Sequence, residues 1–397
     1  MTTKTISRLA LGAAASAAVA LALAPTVQAA SQPGAHAVAR AGTHHASGRP
    51  ATLPGGYKHL VVIYEENHSF DNLYGQWGDV RGQHVDGSAD ATTAQQTQVD
   101  QTGTPFGCLP QDDVNLTSPP LTSTCTDAAH GITASHFANA PFSIDDYIQP
   151  ADTTCPAPGV FAANGVPKGS GQPGGCTRDL VHRFYQEQFQ IDGGQQNRYV
   201  TGSDALGLTM GSYDTTHLPI YSYLHGRGAP KYVLADHFFQ AAFGGSFLNH
   251  QWLIAARSPL DTDPNLVPAS PARNSVIDSN GMPTAYPQYT PTGPVVDGAL
   301  TQKCADGLNH AAQACGDFAV NTIQPQSTPH GGGSQLPPID DTQFPNIGDE
   351  LSAKGISWNW YSGGWDDAAS GHPGALFQYH HQPFNYFANY APGQPGR

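Results

Sequence analysis

The chain has 397 residues, with 31 acidic and 17 basic side chains and a formal charge of −14. That balance leaves few clustered cations for a phosphate backbone and argues against nucleic acid as a partner, although a small phosphate substrate remains open where a bound cation supplies local positive charge. The 44 glycines and 33 prolines exclude a helical bundle and indicate a loop-rich protein, long enough for one large core or two domains.

Residues 1–29 read as a signal peptide. Lys4 and Arg8 give a positive start, residues 9–24 are an uncharged Ala/Leu-rich run, and Val27-Gln28-Ala29 fits a small-residue cleavage site. The run is short for a membrane span and no second one follows, so the expectation is a secreted protein without stable membrane insertion. Residues 30–56 lack periodicity and read as a flexible lead-in. Six cysteines suit an oxidising compartment, and the simplest disulfides join sequence neighbours: Cys108 with Cys125, Cys155 with Cys176, Cys304 with Cys315.

The domain proper spans residues 57–397. It opens with His59-Leu60-Val61-Val62-Ile63-Tyr64, an apolar β-branched run that predicts a buried strand. The run breaks into Glu65-Glu66-Asn67-His68, placing hard oxygen ligands at a strand's carboxyl end, where open α/β sheets bind ligands. The bland alternative is a strand with a polar tail and a helix starting at Asn67. Residues 82–126 are polar and turn-rich and read as a surface excursion. Residues 179–188 predict a short helix carrying His182, halted at Asp192-Gly193-Gly194.

A helix over residues 218–225 precedes a second apolar strand, Tyr232-Val233-Leu234-Ala235-Asp236-His237-Phe238-Phe239. This delivers the chain to Gly244-Gly245-Ser246, with a helix expected to follow. Glycines ahead of a serine at such a turn expose its hydroxyl, and a helix N-terminus favours an anion there; the bland alternative is an N-cap serine. Residues 258–345 form a second loop-rich excursion. A helix over 347–354, stopped by Gly355, leads to the aromatic strand Ile356-Ser357-Trp358-Asn359-Trp360-Tyr361. Asp366-Asp367 reads as acidic turn residues rather than a chelating pair. Adjacent His380 and His381 would point to opposite faces of a strand, so spacing alone does not assign both to one site.

Several of these segments carry a family resemblance. Glu66-Asn67-His68-Ser69-Phe70-Asp71 resembles the E-N-R-S-F-D signature of the bacterial phosphoesterase family, which includes non-haemolytic phospholipases C and acid phosphatases of the alkaline-phosphatase-like superfamily. His68 stands where that signature has arginine. Residues 208–214 resemble the family's M-G-Y-Y-D segment. Ser246-Phe247-Leu248-Asn249-His250 resembles the nucleophile segment, with Leu248 and His250 replacing the proline and arginine of its P-N-R.

The resemblance implies a three-layer α/β/α sandwich with a mostly parallel sheet. It also implies Glu66, Asn67 and Ser246 as ligands of a divalent metal of unknown identity, and Ser246 as nucleophile. By the same resemblance His182, His380 and His381 bind the substrate phosphate. Family chains continue past the segment matching Tyr390 with an H-P-G motif, a D-E-N-G-G-like acidic pair and a late D-H. None of these follows here, so the resemblance implies a chain truncated at its C-terminus. The reading is a secreted, metal-dependent phosphoesterase acting through a phosphoseryl intermediate on a small phosphate ester or a phospholipid head group. The rival reading is a secreted phosphate-ester-binding protein that keeps the fold with impaired turnover.

Overall fold

A computed structural model of the chain describes residues 54–66, 68–111, 122–146, 180–259, 282–283, 286–293, 295, 298, 300, 320–333, 335–374 and 377–397. The signal segment, nearly all of the lead-in, Asn67, Cys155, Cys176, Cys304 and Cys315 lie outside the described residues.

Local sequence sets the helices. Ser69 caps α1 (Phe70–Tyr74) by accepting a hydrogen bond from the Asn72 N–H at 3.2 Å. The helix thus begins three residues later than a start at Asn67 would have it. Thr92 and Gln95 form a reciprocal capping box on α2 (Thr93–Gln96). Helix α3 (Phe184–Ile191) ends where Asp192 enters the left-handed region at φ 47°, and α4 (Pro219–His225) starts with proline at its first position. Helix α5 (Ser246–Ala255) follows the glycine pair. Asn346 caps α6 (Ile347–Ala353), and Gly355, at φ 68°, turns the chain after it. Asp366 and Asp367 are exposed in the first turn of α7 (Trp365–Ala369), where carboxylates complement the helix dipole.

Helices and strands are mixed, as an α/β chain requires. The described strands form three two-stranded sheets. Strands β1 (Cys125–Asp127) and β2 (Ile132–Ser135) are antiparallel; β3 (Phe142–Ser143) pairs in parallel with β4 (Gly211–Ser212), and β5 (Gln324–Pro325) in parallel with β6 (Gln335–Leu336). Helix α1 is tied to β4's end of the chain by Asn72, whose side chain donates to the Gly211 carbonyl at 2.9 Å while its own carbonyl accepts from the Tyr213 N–H at 2.7 Å.

The main core gathers Phe184 and Tyr185 of α3, Phe247, Leu248 and Ile254 of α5, and Phe384, Tyr386, Phe387 and Tyr390 from 3-10 turns near the end of the chain. Tyr386 satisfies its buried hydroxyl by donating to the Ile323 carbonyl at 2.6 Å. A second cluster joins Leu109, Phe137, Val200, Ala205 and Leu208. The described part of the 82–126 stretch contributes to the interior, since Val85, Val99, Cys108 and Leu109 are all buried.

Three expected strands are corrected. Leu60, Val61, Val62 and Ile63 are 69–78 % exposed, and Val233 is 90 % exposed, with Phe238 and Phe239 close behind. Both segments belong to none of the three sheets, so these exposed side chains have no covering layer among the described residues, although Tyr232 and Leu234 of the second run pack against Trp77, Val80 and Val85. Residues 356–361 pair with no strand among the described residues, although Trp358 and Trp360 pack on Phe384 with ring centroids 4.9 and 5.4 Å away. Cys108 and Cys125 are free thiols, yet neighbours: burial and the Cys125 side chain hydrogen-bonded to it push the Cys108 thiol up to about 12.

Candidate active site

Three chain segments converge on one region. The first is the run ending at Glu66. The second is the Gly244-Gly245 turn into α5. Gly244 sits at φ 122°, a backbone state that favours glycine, and a side chain on Gly245 would press against the His182 carbonyl at 3.0 Å. Ser246 is therefore the first helical residue rather than an N-cap, because Gly245 holds the cap position. The third is the 3-10 turn Tyr379–His381, whose residues pack against α5.

Glu66 is the hub. Its carboxylate accepts from His381 Nε2 at 2.5 Å and from the Ser246 hydroxyl, and lies 3.9 Å from His250 Nδ1. Burial works to raise its pKa, but the His381 hydrogen bond and charge, the His250 charge and the Ser246 hydroxyl prevail and bring it to about 2. His250 lies one helical turn beyond Ser246 and donates from Nδ1 to the Ser246 carbonyl at 2.7 Å. Its ring stacks on His381 with centroids 5.0 Å apart and meets Tyr64 edge-on at 5.1 Å. Burial holds His250 below the ordinary histidine range.

His380 meets His381 edge-on, with centroids 4.7 Å apart. Burial first, then the neighbouring His381 and His250, push His380 down to about 3, so it is neutral at physiological pH. Its buried Nδ1 has no hydrogen-bond partner among the described residues, and an unsatisfied polar atom at this depth marks where a ligand atom or water fits. His182 is half-buried just ahead of α3, near enough to His380 for its charge to be felt, and its Nδ1 lies 2.7 Å from the Leu180 carbonyl. Glu187 steadies the glycine turn by accepting from the Gly244 N–H at 3.0 Å.

Of the residues expected at the site, Glu66, Ser246, His380, His381 and His182 thus share one region, and Asn67 lies outside the described residues. His250 is the addition. Sequence reasoning treated it only as the replacement for a motif arginine, although its i+4 relation to Ser246 on a helix puts both on one face. One ligand atom each from Glu66, His250 and His381 lies within 4.8 Å of the others, so these three could hold a metal ion. A carboxylate and two imidazoles, with the orphaned His380 Nδ1 nearby, fit a divalent cation of borderline softness.

The arrangement offers a hydroxyl at the positive end of a ten-residue helix, a strongly ionised carboxylate against it, and a fringe of imidazoles. Those are the parts for displacement at an anionic, oxygen-rich centre. Comparison with curated proteins gives no match. The sequence model of the Phosphoesterase family matches residues 57–397, and the chain belongs to that family.

Proposed function

We propose that this protein is an exported, metal-dependent phosphoesterase that uses Ser246 as its nucleophile. The observation that carries the reading is the Ser246 hydroxyl, placed at the N-terminus of α5 and donating to Glu66 beside His250, His380 and His381. Family membership supplies the reaction class, hydrolysis of a phosphate ester. Export rests on the reading of residues 1–29, and an alkaline-phosphatase-like sandwich is the architecture this reading implies.

Glu66 orients the Ser246 hydroxyl as Oγ attacks phosphorus, and the proton it gives up passes through a neighbouring histidine to the ester oxygen, which leaves on the opposite side. Water then attacks the phosphoserine and one of its protons passes back to Ser246, releasing inorganic phosphate from a monoester or the phosphorylated head group from a phospholipid. The α5 N-terminus and the imidazoles of His182, His380 and His381 receive the non-bridging oxygens. Donors aimed at developing charge are worth about 3 kcal/mol each in comparable sites. A divalent cation held by Glu66, His250 and His381, with Asn67 and Ser246 as the further ligands implied by the family resemblance, would act as a Lewis acid on a phosphoryl oxygen.

The test is hydrolysis of p-nitrophenyl phosphate and of a short-chain phosphatidylcholine by the purified chain, with zinc or manganese and after chelation. Turnover that needs metal and is lost in Ser246→Ala supports the reading, and the preferred substrate separates phosphatase from phospholipase chemistry. Phosphate-ester binding without turnover under every metal would favour the binding-protein alternative.

A further inference from the structure

We infer that the protein carries a second cation site, outside the active site, in which His84, Asp86 and Asp90 bind a zinc-type ion adjoining Asp236 and His237. These residues come from two segments about 150 positions apart in sequence. One is the turn-rich stretch after α1, and the other is the exposed run that leads to Ser246.

Asp86 joins them. Its backbone N–H donates to Asp236 Oδ2 at 2.8 Å, and its Oδ2 lies 2.8 Å from His237 Nε2. Its other oxygen faces His84 Nε2 at 3.5 Å, while Asp90 Oδ1 faces the same nitrogen at 3.2 Å. Asp79 approaches the far ring nitrogen of His84 at 3.2 Å. Two triads, His84 with Asp86 and Asp90, and Asp86 with Asp236 and His237, each hold ligand atoms within 4.8 Å of one another and share the Asp86 carboxylate.

Geometry and ligand type select the ion. Bonds of about 2.0–2.2 Å around a tetrahedral metal put neighbouring ligand atoms about 3.3–3.6 Å apart. The 3.2 and 3.5 Å separations around His84 Nε2 fit that edge. Imidazole beside carboxylate suits zinc, nickel or copper, whereas calcium and magnesium take all-oxygen shells.

The location gives the ion a task. Val233, Phe238 and Phe239 are largely exposed, and their segment belongs to none of the described sheets. Its polar anchors are Asp236, His237, Tyr232, whose hydroxyl accepts from Trp77 Nε1 at 3.1 Å, and the Pro230 carbonyl, which accepts from Arg81 at 3.2 Å. An ion on Asp86 would fasten this approach to the nucleophile turn.

The experiment is equilibrium dialysis of the full chain against zinc, comparing wild type with His84→Ala/Asp90→Asn and with Glu66→Gln. The outer variant is expected to bind one zinc fewer per chain at micromolar zinc, and Glu66→Gln to retain that zinc. Zinc should also slow chymotryptic cleavage after Phe238 or Phe239 in wild type and in Glu66→Gln, but not in the outer variant. Matching circular dichroism under chelator establishes that the variants are folded, and the single Asp86→Asn gives a second chance to see the loss. Equal zinc stoichiometry and affinity in wild type and both outer variants overturns the inference, as does loss of the same zinc through Glu66→Gln alone.

Discussion

Replacing Glu66 with glutamine keeps the side chain's shape but removes the charge on which His381, His250 and Ser246 converge. The folded protein holds this carboxyl at about 2, against an ordinary value of 4.5. A group whose pKa is depressed on folding stabilises above its unfolded value, and that contribution is lost as pH falls toward the folded one. At about 1.4 kcal/mol per unit, the shift amounts to about 3 kcal/mol at pH 5.5, where the carboxyl is ionised in both states. At pH 3 the unfolded chain is mostly protonated and about 1 kcal/mol remains. Metal-free Glu66→Gln should therefore be less stable than wild type by about 3 kcal/mol at pH 5.5, with the gap closing by about 2 kcal/mol at pH 3. Urea unfolding in the presence of a chelator measures both. A gap that is the same size at the two pH values, or absent at pH 5.5, would show that the imidazoles do not stabilise the carboxylate as argued.

Three further outcomes are expected. His250→Ala should need at least about tenfold more metal than wild type to restore turnover after chelation, by loss of one of three clustered ligands; an unchanged metal requirement removes His250 from the ligand set. Gly348→Ala would set a methyl 2.4 Å from the Trp358 ring and 2.8 Å from the Tyr390 hydroxyl, an overpacking that should cost about 1–3 kcal/mol in urea unfolding; wild-type stability would mean that these rings move aside freely. Under glutathione disulfide, the adjacent thiols of Cys108 and Cys125 should join, passing two electrons to the oxidant and yielding a linked peptide pair by mass spectrometry; recovery of both as alkylated thiols rules the pairing out.

The site was partly legible because its chemistry is punctuated locally. Glu66 follows an apolar run, and Ser246 follows two glycines that the backbone needs there. The histidine pair was harder, and for a physical reason. On a strand, neighbouring side chains diverge, so spacing argued against His380 and His381 sharing a site. They lie instead on a 3-10 turn, where successive residues are about 120° apart rather than opposed. Both rings therefore meet His250, at 6.1 and 5.0 Å. His250 itself was hidden by comparison with a motif, since a departure from the pattern reads as a loss. Helix geometry reads it differently, because the residue four beyond Ser246 returns to the same face whatever its identity.

The fold shows where one-dimensional patterning stops. Caps, glycine stops and helix starts depend on residues within a few positions, and α5 and α6 begin within a residue of where the sequence puts them. A strand has no such closure. Its ladder bonds and its covering layer both come from residues distant in sequence, and an apolar run records only that burial would be favourable. Leu60 to Ile63 and Val233 carry that demand in their composition, yet the described residues supply neither a paired strand nor a layer over them. At about 25 cal/mol per Å² of apolar surface, leaving such side chains in water forgoes about 1.5–3 kcal/mol each. The tertiary contacts that position Glu66 therefore come chiefly from its own polar partners, His381, His250 and Ser246, rather than from the apolar run that precedes it. The other run divides along its length: Tyr232 and Leu234 pack on Trp77, Val80 and Val85, while its far end is held by Asp236 and His237 rather than by the exposed Phe238 and Phe239. In both segments the charged residues beside the exposed apolar side chains hold the chain where the ligand chemistry lies.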